Sequence, residues 1–188
     1  MVTTFSPTIP ISTLESQGAV IHTIVAATGT GSTDVLVVHF TGTTIQVGSI
    51  PVASWLTRSD SSTLGTTCTI IQPGVYQASL YIPWTISRPL GSYITLNATT
   101  AQRQNTVPQP NSVTVYSAQF SNITSTYQAI MPLATIVIDS TMIANGDNVI
   151  RFGAADIENA PTAVAPATAD WLVPSTTSAR IFKVGNAR

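Results

Sequence analysis

The side chains able to do chemistry are few, and they stand far apart in the chain. His22, His39 and Cys68 are the residue types of a thiol–imidazole pair. Such a pair needs its two groups within hydrogen-bond reach, yet both histidines sit in apolar runs, at 19–27 and 35–40. They read as packed or edge histidines. Cys68 lies in the alternating run Thr67-Cys68-Thr69-Ile70 and reads as a small buried hydrophobe. A lone cysteine allows neither an internal disulfide nor a multi-cysteine zinc site.

Paired carboxylates are a second route to acid–base work. The eight acids are Glu15, Asp34, Asp60, Asp139, Asp147, Asp156, Glu158 and Asp170. Most fall at strand ends or in loops, where short acidic side chains form turns. Asp156 and Glu158 are the one close pair, and no Asp-x-Asn-x-Asp-Gly calcium loop surrounds them. Gly29-Thr30-Gly31 lacks the third glycine and the helix of a phosphate cradle. No Gly-x-Ser-x-Gly elbow, P-loop or HExxH motif occurs. The residues therefore predict no enzyme, no catalytic residue, no metal and no cofactor. Asn97-Ala98-Thr99 and Asn122-Ile123-Thr124 fit the glycosylation pattern, which a chain with 30 Thr and 19 Ser produces by chance.

The elements that must position these residues have a period of two. Segments rich in Val, Ile, Thr and Tyr, separated by Gly, Pro, Asn and Ser, predict strands near 19–27, 34–40, 43–48, 67–72, 75–86, 92–99, 113–120, 127–138, 148–154 and 179–184. In 75–86 the alternation turns Tyr76, Ala78, Leu80, Ile82, Trp84 and Ile86 to the core, and Val75, Gln77, Ser79, Tyr81, Pro83 and Thr85 away from it. Pro83 marks an edge or bulge, because it cannot donate to a ladder. Pro132 bends or interrupts 127–138. Asp139 to Asn145 fits one helical turn, capped by Asp139 or Ser140. Asn145-Gly146-Asp147 then fits a tight turn into the next strand.

Composition sets the surface. Of 188 residues, 44% are hydrophobic and only 8% charged, against about 25% charged in ordinary soluble domains. Hydroxyls replace the missing charge. The net charge of −1 leaves no excess of basic residues for nucleic acid or an anionic membrane, and none of the seven lies before Arg58. No apolar run approaches the about 20 residues of a membrane helix. The start, MVTTFSPTIPIS, has neither the positive nor the apolar region of a Sec signal peptide. Proline-containing segments at 101–112 and 155–178 read as long loops.

Many short strands with turn signals predict an all-β chain, an antiparallel β-sandwich of the jelly-roll kind. Residues 19–188 form its single domain. Residues 1–18 form an extended amino-terminal arm, reaching to about residue 50 where strands are exchanged.

Three segments carry a family pattern. Thr69-Ile-Ile-Gln-Pro-Gly-Val-Tyr-Gln-Ala-Ser-Leu-Tyr-Ile-Pro-Trp84 resembles the strand, Pro-Gly-Val-Tyr, strand, Trp signature of the complement/tumour-necrosis-factor-like jelly rolls. Ile143-Ala-Asn-Gly-Asp-Asn-Val-Ile-Arg-Phe152 is similar to their Gly-Asp-x-Val/Ile entry to a late strand, and Ser178-Ala-Arg-Ile-Phe-Lys-Val184 to their short last strand. The order and spacing agree over 65–188, whereas residues 1–50 depart from the pattern. The resemblance implies a compact homotrimer whose subunits pack through one sheet; Tyr81, on the face opposite Trp84, and Tyr76 and Tyr127 are the expected interface residues, since Tyr is favoured there. It implies assembly and binding, in the form found in virus particles.

Low charge, abundant Thr and Ser, and a single Cys and Lys favour the particle over a secreted head, where disulfides are usual. The expected role is a virion structural protein on the capsid exterior: a bacteriophage cement or decoration protein clamping major capsid protein subunits. Phe5, Pro7, Ile9, Pro10, Ile11 and Leu14 of the arm would make the capsid contacts. Direct nucleic-acid and membrane contacts are not expected. Two other roles fit the same fold. One is the receptor- or glycan-binding tip of a tail fibre, served by an exposed Trp171 and Tyr93 and by the loops 101–112 and 155–178. The other is a small-virus shell subunit, against which the missing basic arm counts.

Overall fold

Threonine and the β-branched aliphatics prefer extended backbone, and the structure follows that preference. The computed structural model describes residues 17–22, 36–61, 65–84, 90–97, 113–120, 128–130, 132–156 and 177–187. Among them the strands are β1 (Gln17–His22), β2 (Leu36–Val37), β3 (Thr44–Val47), β4 (Leu56–Ser61), β5 (Gly65–Ile70), β6 (Gly74–Trp84), β7 (Leu90–Leu96), β8 (Val113–Phe120), β9 (Gln128–Ile130), β10 (Leu133–Ile138), β11 (Val149–Asp156) and β12 (Ser178–Gly185). A 3-10 turn at Val52–Ser54 and one helix, α1 (Ser140–Asn145), complete the elements.

The strands form two antiparallel sheets. The first runs β10-β6-β12-β1-β3, with β9 continuing beside β6. The second runs β4-β5-β11-β7-β8, with β2 beside β11. Their inner faces share one core. Ala19, Tyr76, Ala78, Leu80, Ile136, Ile138 and Ile181 come from the first sheet, and Leu56, Cys68, Ile70, Ile94, Ile150 and Phe152 from the second. Two sheets joined through a common apolar layer make a β-sandwich. The alternation predicted for β6 holds: Tyr76, Ala78 and Leu80 are buried, while Gln77 is exposed and Val75, Ser79 and Tyr81 are half-buried.

Prolines act where they stand. Pro132 divides the predicted strand 127–138 into β9 and β10, and its carbonyl accepts a hydrogen bond from Leu80 N at 3.3 Å. Pairing of β6 with β12 ends at Tyr81, so Pro83 lies where β6 has one described neighbour, β9. Asp139 caps α1, its Oδ1 accepting from Met142 N at 2.8 Å. Gly146 closes the helix in the left-handed region, with φ of 78°, where a side chain is disfavoured.

Two features differ from the prediction. Strand β4, Leu-Thr-Arg-Ser-Asp-Ser, lacks a β-branched run. Its inward positions are Leu56, Arg58 and Asp60, in register with Ile70, Cys68 and Thr66. An ion pair at the rim of the core stands where an apolar pattern would have flagged a strand. The amino-terminal boundary also shifts, since β1 begins at Gln17 and belongs to the first sheet together with β3. Residues 1–16, and with them all six arm contacts, lie outside the described residues.

Candidate functional site

The outer face of the first sheet exposes large apolar side chains beside the uncharged polar Gln77, Ser79 and Thr135. On the edge strand β10, Leu133 is 56% and Val137 55% exposed; on the opposite edge strand β3, Ile45 is 49% exposed. Register places Leu133 beside Ser79, and Val137 beside Val75. Tyr81 and Phe182, on β6 and β12, are half-buried on this same face. Its one charged side chain among those described is the exposed Arg180, in register with Ser79. Among the described side chains the face combines apolar and aromatic groups with a single arginine and uncharged polar residues, and it has no carboxylate or lysine.

Three interface residues were expected. Tyr81 is on this face. Tyr127 lies outside the described residues. Tyr76 points the other way: it is fully buried, stacks on Trp55 with ring centroids 5.8 Å apart, and donates its hydroxyl to Gln72 O at 2.8 Å. The interface role gives way to a core role, because a side chain with no exposed surface in the subunit has none to offer a neighbour. Leu133, Val137 and Ile45 were not singled out by the sequence reading. The signal existed in β10, whose two faces are Leu-Thr-Val and Ala-Ile-Ile, so that both are largely apolar.

Among the described residues the candidate chemical groups do not converge. Cys68 is buried in the core, and that burial pushes its thiol up to about 12. A neutral thiol is a poor nucleophile at neutral pH. His39 is half-buried between the core residues Val38 and Phe40; the side chain of His22 is outside the described set. Asp60 pairs with Arg58 at 2.9 Å, and Asp139 is committed to the helix cap. Among the described residues no three His, Cys, Asp or Glu side chains gather as a metal site. Asn97, of one glycosylation pattern, sits at φ 61° and accepts from Val149 N at 3.0 Å, so its side-chain oxygen is engaged within the fold. Tyr93, expected to be exposed for glycan contact, is fully buried. Trp171, Asn122 and most of the two loops lie outside the described residues.

The charged groups instead join the two sheets. Residues 38–43 cross from β2, in the second sheet, to β3, in the first. Arg58 donates to Gly42 O at 2.6 Å, to Thr44 Oγ1 at 3.3 Å and to Phe40 O. Phe40 N donates to Thr66 Oγ1 at 2.8 Å, which donates to Asp60 Oδ1 at 2.7 Å. This network holds the crossover and, through it, the Ile45 edge of the apolar face.

The two-sheet sandwich is similar to known structures. Murine APRIL at pH 8.0 matches with a TM-score of 0.56 and 12% identity, covering 90% of this chain and 100% of that one. Its structure at pH 8.5 matches with 0.54 and 11%, over the same shares. The fold is the tumour-necrosis-factor-like jelly roll. Eiger TNF from S. frugiperda is also similar, with a TM-score of 0.44 and 11% identity over 93% of this chain and 96% of that one. No family model matches the chain, and no curated protein matches it in sequence. Within the tumour-necrosis-factor-like sandwich, the three motif segments become β5 with β6, the α1–β11 entry, and β12. The first 50 residues, which the motifs left uncovered, supply β1 and β3 of the first sheet.

Proposed function

We propose that this chain is a virion structural protein. In this reading it is a homotrimer that packs through the outer face of the first sheet and clamps neighbouring major-capsid subunits, as a bacteriophage cement or decoration protein. The observation that carries the assembly role is the exposed apolar set of Leu133, Val137 and Ile45 on one sheet face, where Arg180 is the one charged side chain among those described. Exposed patches of this kind mark contact surfaces. The capsid role is supported by composition: a surface short of charge and rich in Thr and Ser suits contacts that ionic strength does not screen. Phe5, Pro7, Ile9, Pro10, Ile11 and Leu14 would extend each subunit onto its neighbours, and a trimer multiplies weak contacts.

Sedimentation tests the trimer. The wild type is expected to sediment as three subunits at micromolar concentration, and Leu133→Glu with Val137→Glu as one. A folded wild-type monomer removes the assembly reading. Co-sedimentation with expanded capsids tests the partner separately, comparing the full chain with one lacking residues 1–16. Equal binding by both removes the arm from the mechanism. Binding to host cells but not to capsids would replace the cement role with a recognition role.

A further inference from the structure

The outer face of the first sheet and the amino-terminal arm are complementary in type. The described side chains of that face include the exposed Leu133, Val137 and Ile45, the half-buried Tyr81, and the uncharged polar Gln77 and Thr135. Arg180 is the one charged side chain described there, and it is exposed. When a neighbour covers such a face the arginine needs a carboxylate, because a desolvated charge without a partner is strongly destabilising. No described residue of the face supplies one.

The arm has what the face lacks. Its odd positions carry Phe5, Pro7, Ile9, Ile11 and Glu15. Its even positions carry Thr4, Ser6, Thr8 and Ser12, with Pro10 and Leu14 as exceptions. Residues of one parity share a side in extended backbone. An extended arm therefore has one largely apolar side that ends on a single carboxylate, and Glu15 is the only acid before Asp34. The length also fits. Residues 5–15 span about 33 Å when extended, and the strands from β3 to β10 span about 19 Å. The arm is long enough to cross the whole face.

Register assigns the arm to a different subunit. Strand β1 begins at Gln17, and Val20 is the register partner of Arg180. In the strand direction Glu15 then lies about 17 Å from the level of its own Arg180, beyond the combined reach of the two side chains. We propose that the arm of one subunit lies across the outer face of the first sheet of the next. Its apolar side covers Leu133, Val137 and Ile45, and its Glu15 carboxylate pairs with the partner subunit's Arg180. This rests on the homotrimer proposed above and names what fills its contact face.

Charge reversal tests it, read by sedimentation of the full chain over a range of concentrations. Glu15→Arg and Arg180→Glu are each expected to raise the concentration at half-assembly about tenfold. The two changes in one chain are expected to restore it. In a chain lacking residues 1–16, Arg180→Glu is expected to have no further effect. Single reversals that leave a trimeric wild type unchanged, a double variant no better than the singles, or a full effect of Arg180→Glu without the arm each overturn the arm docking and leave the trimer standing. A folded wild-type monomer overturns both.

Discussion

The ring of Phe182 occupies the space that a side chain on Gly18 would fill. The two are register partners across β1 and β12. A Cβ on Gly18 would stand 2.5 Å from Phe182 Cδ1 and 3.2 Å from Val47 Cβ. An aromatic ring leaning over a strand glycine recovers the contacts that the glycine lacks. Gly18→Ala is therefore expected to lower stability by about 1–3 kcal/mol, the usual range for overpacking. Urea denaturation measures it. Phe182→Leu in the same chain should recover part of the loss, and a double-mutant cycle reads the coupling.

Thr66 is a relay, and its removal should be felt at the crossover. Its Oγ1 accepts from Phe40 N and donates to Asp60 Oδ1. Thr66→Val keeps the shape and strands a buried backbone donor, which costs about 1–3 kcal/mol. Thr66→Ser keeps the hydroxyl and should cost less. Arg58→Lys tests the other arm of the network. Its guanidinium serves Phe40 O, Gly42 O and Thr44 Oγ1 besides Asp60. A compact ammonium does not reproduce that planar fork, so the charge-conserving change should destabilise by about 2 kcal/mol as read by chemical denaturation.

The core thiol predicts an alkaline limit. Burial raises Cys68 from 9.0 to about 12 and Tyr76 from 10.0 to about 12. Below pH 9 both groups are protonated in the folded and unfolded states, and they add no pH dependence. Between pH 9 and 12 the unfolded chain releases these protons while the folded chain keeps them. Stability then falls with rising pH, by about 1.4 kcal/mol per unit for each fully ionised group. Cys68→Ala should flatten the first part of this decline in denaturation midpoints taken from pH 7 to 11. A slope equal to that of the wild type would contradict the assignment to Cys68. Native Cys68 should also resist thiol reagents at pH 8 until the chain unfolds.

The helix between β10 and β11 depends on both its ends. Asp139→Ala removes the side-chain acceptor for Met142 N and should cost about 1 kcal/mol. Gly146→Ala places a Cβ at φ 78°, where nothing lies within 4 Å of it. Its expected cost of about 1 kcal/mol is thus conformational rather than steric. Asp139→Asn, which keeps an acceptor, should stay near wild type in thermal midpoint.

The amino-acid sequence by itself determined the all-β class, the inward face of β6, the break at Pro132 and the capped turn from Asp139 to Gly146. Each rests on local physics: period-two alternation, a missing backbone donor, a capping carboxylate, a left-handed glycine. Tertiary structure alone decided the rest. Strand β4 was hidden because its inward positions, Arg58 and Asp60, neutralise each other across two residues, and that pairing is invisible until the crossover lies over them. Tyr76 and Tyr81 both fit an interface by type, yet they stand an odd number of positions apart on one strand. Alternation separates them, and the tertiary structure shows what each side meets: Tyr76 stacks on Trp55 in the shared core, and Tyr81 lies on the outer face that also carries Leu133 and Val137. Tyr93 is likewise on the face away from the shared core, but it is buried there with its hydroxyl unpaired. Strand alternation assigns a side; what covers that side depends on segments distant in sequence.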